Sequence, residues 1–294
     1  MGHESMHIDH LKTFLEIAST GSLSEAAARL NVTQSTVSAR LRSLEERLDR
    51  ALFQRHRNGA ALTAAGQQFH RHALASVRAW ERGRQEVSLP PGLHESFAVG
   101  AQTSLWDELL VNWIQWFRAQ MPEIALRLTA DYSGNVLRQL SDGALDLGVL
   151  YLARTSPGLV SELLFTERLV LVSTRRERTL EAALDPKRYV YVDWGDDFRN
   201  QHHETFPELD SAAVSVDLGA AALRYLLNVD GSAYLPLRVV RSVVKERGLF
   251  RVKRAPVFQR PVYACYPREP IDEDRQWVAL DGLRAIAQKA GRGR

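Results

Sequence analysis

Over the first ninety positions apolar residues recur every three to four residues, the period of a helix surface. Leu11, Phe14, Leu15 and Ala18 mark one helical face, Ala26, Ala27 and Leu30 a second, shorter one. Val37, Leu41, Leu44 and Leu48 mark a third, and all four side chains are expected in a core. Ser22, with Glu25 three residues on, reads as a capping box that opens the second helix; Asn31 and Val32 form a turn, and Thr33 caps the third helix. At about 100° per residue, Ser35, Ser38, Ala39 and Arg42 fall on the side opposite the apolar stripe, with Gln34 at the helix start. Residues 63–87 contain no proline, and Phe69, Ala73, Val77, Trp80 and Val87 form a narrow seam along them. About 25 helical residues would run roughly 38 Å. A long helix with one seam is expected to pair with another chain, the alternative being packing on its own domain. Pro90-Pro91-Gly92 then ends the helix and opens a hinge.

From residue 96 the pattern changes to strands alternating with helices. Strands are expected at 97–100, 124–130, 146–150, 169–173, 189–192, 214–217, 233–235 and 262–266. Amphipathic helices are expected at 105–120 and 134–142. Such alternation implies parallel sheets covered by helices.

Two short helices meeting at a tight corner, followed by a helix start rich in hydroxyls, make the shape that fits a DNA major groove. In that reading Gln34, Ser35, Thr36 and Ser38 meet base edges and phosphates, and Ser22 and Arg42 flank them. The basic segment carrying Arg55, Arg57 and Asn58, ending at Gly59, forms a wing along the phosphate backbone. A helical hairpin with no DNA role is the alternative reading of the corner alone. Continuing through Leu44-Glu45, Leu52-Phe53-Gln54-Arg55-His56-Arg57-Asn58-Gly59 and Leu62-Thr63-Ala64-Ala65-Gly66, residues 8–66 resemble the LysR-type transcriptional regulators. The chain departs from that family at Asp49, where glycine is usual, and at Ala39, where many members carry a DNA-contacting arginine.

The resemblance implies an α+α/β chain: an N-terminal winged helix-turn-helix, a long dimerisation helix, and a C-terminal two-lobed α/β effector domain like the periplasmic solute-binding proteins. It divides the chain into 6–63, 64–92 and 93–294, with lobe I at about 95–168 plus 265–290 and lobe II at about 169–264. It also implies antiparallel pairing of the long helix and a homodimer or homotetramer. Arg55-His56-Arg57-Asn58, Ser104-Leu105-Trp106-Asp107-Glu108 and Val192-Asp193-Trp194-Gly195-Asp196-Asp197-Phe198 are similar to one branch of the family, which includes a repressor of flagellar gene expression. That target is not carried over, because one changed base-reading residue can change the operator.

In two-lobed α/β folds, ligands bind at strand carboxyl ends and helix amino ends. That rule selects Gln102, Thr103 and Ser104 after the first strand, Ser133 after the second and Tyr151 after the third. In the second lobe it selects Asp193, Trp194 and Gly219, and Trp106 and Trp194 are expected to give flat apolar walls. Capping or core packing is the alternative role for each. A helix amino end favours a carboxylate, and Asp193 would favour an amine unless it pairs with Arg199. A carboxylate or amino-acid effector would satisfy both ends.

Charge sharpens this picture slightly. Residues 1–90 hold 12 Lys+Arg against 9 Asp+Glu, and the rest is balanced, so the whole net charge of +3 lies on the proposed DNA-binding part. A single cysteine, Cys265, excludes an internal disulfide and fits a cytoplasmic location. No apolar run approaches the ~20 residues of a membrane span. Nucleotide-binding glycine motifs, a nucleophile elbow and zinc-finger spacing are all absent, and His202 and His203, being adjacent on a helix, point different ways. No catalytic residue, metal or cofactor is expected. The expected partners are double-stranded DNA, a small-molecule effector and, downstream of it, RNA polymerase. Two other readings stay open at this stage: a solute-binding or enzymatic α/β protein, and an architectural protein that binds DNA without preferred sites.

Overall fold

The computed structural model describes residues 7–56, 59–152, 158–176, 179–209, 212–244 and 248–291. The chain divides into two compact units, residues 1–96 with 142–144, and residues 97–141 with 145–294.

The first unit is built from α1 (Ile8–Thr20), α2 (Leu23–Leu30), α3 (Gln34–Leu48), the hairpin strands β1 (Phe53–His56) and β2 (Gly59–Leu62), and α4 (Ala64–Val87). Its core gathers Phe14 and Ile17 of α1, Ala26 of α2, and Val37 and Leu44 of α3, all fully buried. Leu48, expected in that core, is exposed, because it is the last residue of α3 and lies beyond the stretch packed by the other helices. The first three helices each end on a residue in the left-handed conformation: Gly21, Asn31 and Asp49. Asp49 therefore holds a position where glycine carries no Cβ penalty. Along α4, Ala73 and Val77 are buried, whereas Trp80 is 55% and Val87 90% exposed, so the far half of the seam has no cover within the unit.

The second unit runs β3 (Glu95–Ala101), a 3-10 turn (Thr103–Leu105), a wide turn (Trp106–Leu110), α5 (Val111–Gln120), β4 (Ile124–Ala130), α6 (Ser133–Ser141), β5 (Leu147–Leu150) and β6 (Leu159–Ser173). It continues through α7 (Leu180–Ala183), β7 (Val190–Val192), α8 (Asp196–Thr205), β8 (Val214–Val216), α9 (Gly219–Asn228), β9 (Ser232–Pro236), α10 (Leu237–Val244), β10 (Phe250–Arg251), β11 (Phe258–Pro267) and α11 (Glu273–Gly291). Seven strands form one sheet in the order β10-β6-β11-β5-β3-β4, with β9 also on β6; β7 and β8 form a second. The expected parallel pairing holds for β3 with β5 and β7 with β8. It fails for the long strands: β6 and β11 pair antiparallel with each other, as β6 does with β9 and β11 with β5.

Those long strands carry the chain between two separate cores. One core gathers Phe97, Trp113, Phe117, Leu147 and Leu280; the other gathers Leu171, Phe198, Leu226 and Tyr234. On β6, Phe165 belongs to the first core and Leu169 to the second; on β11, Phe258 belongs to the second and Val262 to the first. The residues in between, Glu167 and Arg260, face each other in the strand register. The helix expected over 105–120 is broken in its first half, since Asp107 is extended and Glu108 has φ +62°. The break turns the carbonyls of Ser104 and Asp107 towards the guanidinium of Arg238, which donates to both.

In the second core, His202 of α8 is buried and shares a 2.8 Å hydrogen bond with the Tyr189 hydroxyl. Its neighbour His203 is exposed. Burial lowers the His202 pKa from 6.5 to about 4. Between those values the unfolded chain binds the proton more readily, so stability is expected to fall as pH drops from 6.5 towards 4. The loss is roughly 3 kcal/mol, at about 1.4 kcal/mol per unit. Urea unfolding midpoints at pH 7 and 4.5 measure this. A His202→Phe chain with the same pH slope as wild type would sink it.

Candidate DNA-reading surface and inter-lobe site

The corner between α2 and α3 is fixed by backbone bonds. The Ser22 hydroxyl accepts from the Glu25 amide at 3.3 Å, and the Thr33 hydroxyl accepts from the Thr36 amide at 3.2 Å. The expected capping box is only half formed, because the Ser22 amide donates to the Thr20 hydroxyl and the Glu25 carboxylate pairs with Arg29. The Val32 amide donates to the Ala27 carbonyl and closes the turn. Thr33 lies 2.8 Å from the hydroxyls of both Ser35 and Thr36. Gln34, Ser35, Ala39 and Arg42 are exposed; Thr36 and Ser38 are half-buried. Arg29 pairs with Glu16 and Glu25, and Arg40 with Asp9. Arg42, by contrast, has no acidic partner among the described residues, which leaves its charge available at this surface.

The hairpin beside this surface pairs Phe53 with Leu62, Gln54 with Ala61, Arg55 with Ala60 and His56 with Gly59. Arg57 and Asn58 lie outside the described residues. Two contacts hold the hairpin to the helices. The Glu45 carboxylate on α3 accepts from the amides of Leu52 and Phe53, at 2.7 and 3.2 Å. The Ala60 amide donates to the Gly21 carbonyl at 2.7 Å. Glu45 is thus a positioning residue; the sequence showed it only as part of a motif.

In the second unit, most of the side chains selected from the sequence form local contacts. Ser133 donates to the Gln102 side-chain Oε1 at 2.5 Å, and Ser104 to the Tyr151 hydroxyl at 3.2 Å. Thr103 is exposed, and the Trp106 indole, packed partly into the first core, donates to Ala101 at 3.4 Å. The Asp193 carboxylate is already engaged, by the Gly195 amide at 2.9 Å and by Arg199 at 2.6 Å, so the Arg199 pairing is the outcome observed. Trp194 is 4% exposed, and its indole N–H donates to the Tyr234 carbonyl at 2.9 Å. A Cβ on Gly219 would lie 2.2 Å from the Trp194 ring. Trp194 and Gly219 therefore pack on each other, and Gly219 opens α9 with no side-chain cap at its N-terminus.

Of the residues that join the lobes, the ligand-position rule selected Ser104 and Tyr151 but not Glu167, Arg238 or Arg260. Glu167, 2% exposed, accepts from Arg238 Nε at 2.5 Å and from the Tyr151 hydroxyl at 2.5 Å. Arg238, on α10, also reaches the Ser104 and Asp107 carbonyls on the other side. Burial together with the Glu167 charge holds the Tyr151 phenol far above its usual range, so it is a neutral donor. Arg260 stacks its guanidinium 3.5 Å from the Tyr151 ring centre and 5.5 Å from Trp194. Farther out, the Tyr132 hydroxyl donates to Asp217 at 2.9 Å. Strand periodicity does flag two of these. Phe165, Glu167 and Leu169 share one face of β6, and Phe258, Arg260 and Val262 share one face of β11, so each charge stands at an inward position.

Among the described residues, no group of three His, Cys, Asp or Glu could hold a metal ion, and no helix is long and apolar enough to cross a membrane.

Residues 8–67 match the family described as "Bacterial regulatory helix-turn-helix protein, lysR family", and residues 91–278 match the "LysR substrate binding domain". A relative from Salmonella schwarzengrund (strain CVM19633), named HTH-type transcriptional regulator HdfR, is 33% identical over 267 residues, covering 89% of this chain and 92% of that one. Among solved structures, full-length OxyR from Pseudomonas aeruginosa aligns with TM-score 0.59 at 21% identity, covering 99% of this chain and 98% of that one. Full-length LysG from Corynebacterium glutamicum, whose structure holds the effector Arg, aligns with TM-score 0.59 at 20% identity, covering 96% and 98%.

Proposed function

This chain belongs to the LysR family of DNA-binding transcriptional regulators with an effector-binding domain, and from that premise we propose how its residues divide the work. Residues 6–63 read DNA, 64–92 pair two chains, and 93–294 hold the effector. The observation that carries the proposal is the surface at the start of α3: Gln34, Ser35 and Arg42 are exposed while neighbouring arginines are tied to acids. Ser22, Gln34, Ser35, Thr36, Ser38 and Arg42 meet one half-site, with Arg55, Arg57 and Asn58 on the flanking phosphates. Trp80 and Val87 of α4, left uncovered in one chain, supply the seam for a second. A homodimer or homotetramer would then bind half-sites one helical turn, about 34–36 Å, or a multiple apart.

The effector binds between the two lobes of the second unit, near Gln102, Ser104, Ser133 and Tyr151. It is a carboxylate or an amino acid; in the latter case its amine must find an acceptor other than Asp193, which Arg199 already holds. Because effector and DNA bias the same equilibrium, each alters affinity for the other by the same factor. Contact with RNA polymerase and a cytoplasmic location follow from this role.

Selection of genomic fragments by the purified chain, with and without a metabolite extract, tests the reading. A shared inverted repeat is expected; fragments recovered without a pattern would contradict it. In the same assay Arg42→Ala is expected to weaken binding to all sequences and to reduce the salt slope by about 1. Ser35→Ala and Ser38→Ala are expected to change site preference. An Arg42→Ala chain with an undiminished slope would remove that residue from the phosphate contacts.

A further inference from the structure

Arg260 occupies an unusual position for a charge. It sits on β11 where the strand passes between lobes, and it is 7% exposed. No hydrogen bond or ion pair to its guanidinium occurs among the described residues, and its Nη1 is buried without a partner. Its register partner, Glu167, is an acid. Both oxygens of Glu167, however, are already taken, one by Arg238 and one by Tyr151. Asp193 is held by Arg199 and the Gly195 amide, and Asp197 is exposed on α8. The buried group of Arg238, Arg260 and Glu167 thus carries one positive charge too many. What Arg260 does have is the Tyr151 ring beneath it, which holds the guanidinium flat and leaves its N–H edge without an acceptor.

An uncompensated buried cation is strongly unfavourable, and folded chains pair such groups or bury an apolar residue instead. A guanidinium kept between the lobes, flat on an aromatic ring beside the hydroxyls of Tyr151 and Ser104, is the arrangement that receives a carboxylate in two parallel hydrogen bonds. We propose that Arg260 is the anchor for an anionic group of the effector, a carboxylate that supplies the acid this cluster lacks. The inference rests on the reading that an effector binds between the lobes, and deepens it: the ligand is an anion, and its negative charge is read by the crossing strand as well as by a helix end. Placing the anion there would join Arg260 and the Ser104–Tyr151 side of one lobe to the Gly195 turn of the other, so its binding favours one lobe arrangement over others.

Sodium formate, the smallest carboxylate, provides a probe that does not depend on knowing the effector. The full chain is melted in formate and in chloride at equal ionic strength, beside formamide as the uncharged isostere, for wild type and Arg260→Met. For wild type, formate is expected to give a saturable rise in Tm of roughly 2–4 °C over chloride, with no rise in formamide. Arg260→Met, which removes the unpaired charge, is expected to melt at or above wild type in chloride and to show no formate shift. Arg260→Lys, which keeps the charge, is expected to recover part of the shift. Equal formate shifts in wild type and Arg260→Met would overturn the proposal, as would an equal effect of formamide. So would an Arg260→Met chain melting several degrees below wild type, because the guanidinium would then be satisfied within the protein. DNA selection on the same samples keeps the two readings apart. If wild type recovers no preferred DNA site, the regulator reading fails; equal formate shifts beside normal DNA selection sink the anion site alone.

Discussion

Replacing Arg238 with alanine is expected to destabilise the second unit by about 3–5 kcal/mol, the range seen when one partner of a buried ion pair is removed. Three acceptors depend on this one side chain: a Glu167 oxygen and the carbonyls of Ser104 and Asp107. Glu167 is nearly inaccessible to water and would keep the Tyr151 hydroxyl as its hydrogen-bond partner, with the Arg260 cation that faces it in the strand register offsetting part of its charge. The turn at Asp107 and Glu108 would also lose the donor that its exposed carbonyls face. Arg238→Lys is expected to rescue little, because one ammonium cannot reproduce the planar fork that reaches both carbonyls and the carboxylate. Arg238→Met combined with Glu167→Leu is expected to recover only part of the loss, since the ion pair disappears as a unit while Arg260 stays buried without its register acid. Guanidinium unfolding of wild type, Arg238→Met, Glu167→Leu and the double variant measures the coupling. A loss below about 1 kcal/mol for Arg238→Ala would mean that water reaches Glu167 and that the lobes are not joined through this pair.

Gly59→Val is expected to cost the first unit more than about 3 kcal/mol and to abolish DNA binding with it. Gly59 has φ +135°, a conformation that L side chains rarely adopt, and a Cβ there would lie 2.3 Å from the Gly21 carbonyl oxygen. That oxygen is backbone at the end of α1, so no side-chain movement relieves the collision. It is also the acceptor of the Ala60 amide, the contact by which the hairpin is tied to the helix corner. The substitution therefore attacks both the turn geometry and the anchoring of the wing. Gly83→Ala is the control: nothing lies within 4 Å of its added Cβ, and it lies within α4. It should stabilise the chain by roughly 0.5–1 kcal/mol. Thermal melts followed by circular dichroism, with DNA affinity on the same samples, separate the two. A Gly59→Val chain that binds DNA normally would show that the wing is not held by this contact.

The legibility of the chain followed the range of the interactions. Caps and turns depend on neighbours within four residues, and Ser22 and Thr33 each cap the helix assigned to them. The strand at 124–130 is likewise found where alternation placed it. The helix at 105–120 failed locally, because its carbonyls are claimed by Arg238, more than 130 residues away in the chain. At 159–168 the strand was missed: its exposed polar residues hide the inward Phe165-x-Glu167-x-Leu169 face unless the whole of β6 is taken together. Trp194 and Gly219 were assigned by position at element ends, yet a ring edge meeting a missing Cβ is a packing fact with no signature in spacing.

The sequence by itself determined the helix-turn-helix corner, the long seam-bearing helix, the two-part layout and the family, because helix period, capping chemistry and turn residues act over short stretches of chain. Only the tertiary structure decided which charges meet at the crossing strands. Glu167 and Arg260 are brought together by strand register and Arg238 by α10, and which of them is left without a partner depends on geometry at the scale of a single hydrogen bond.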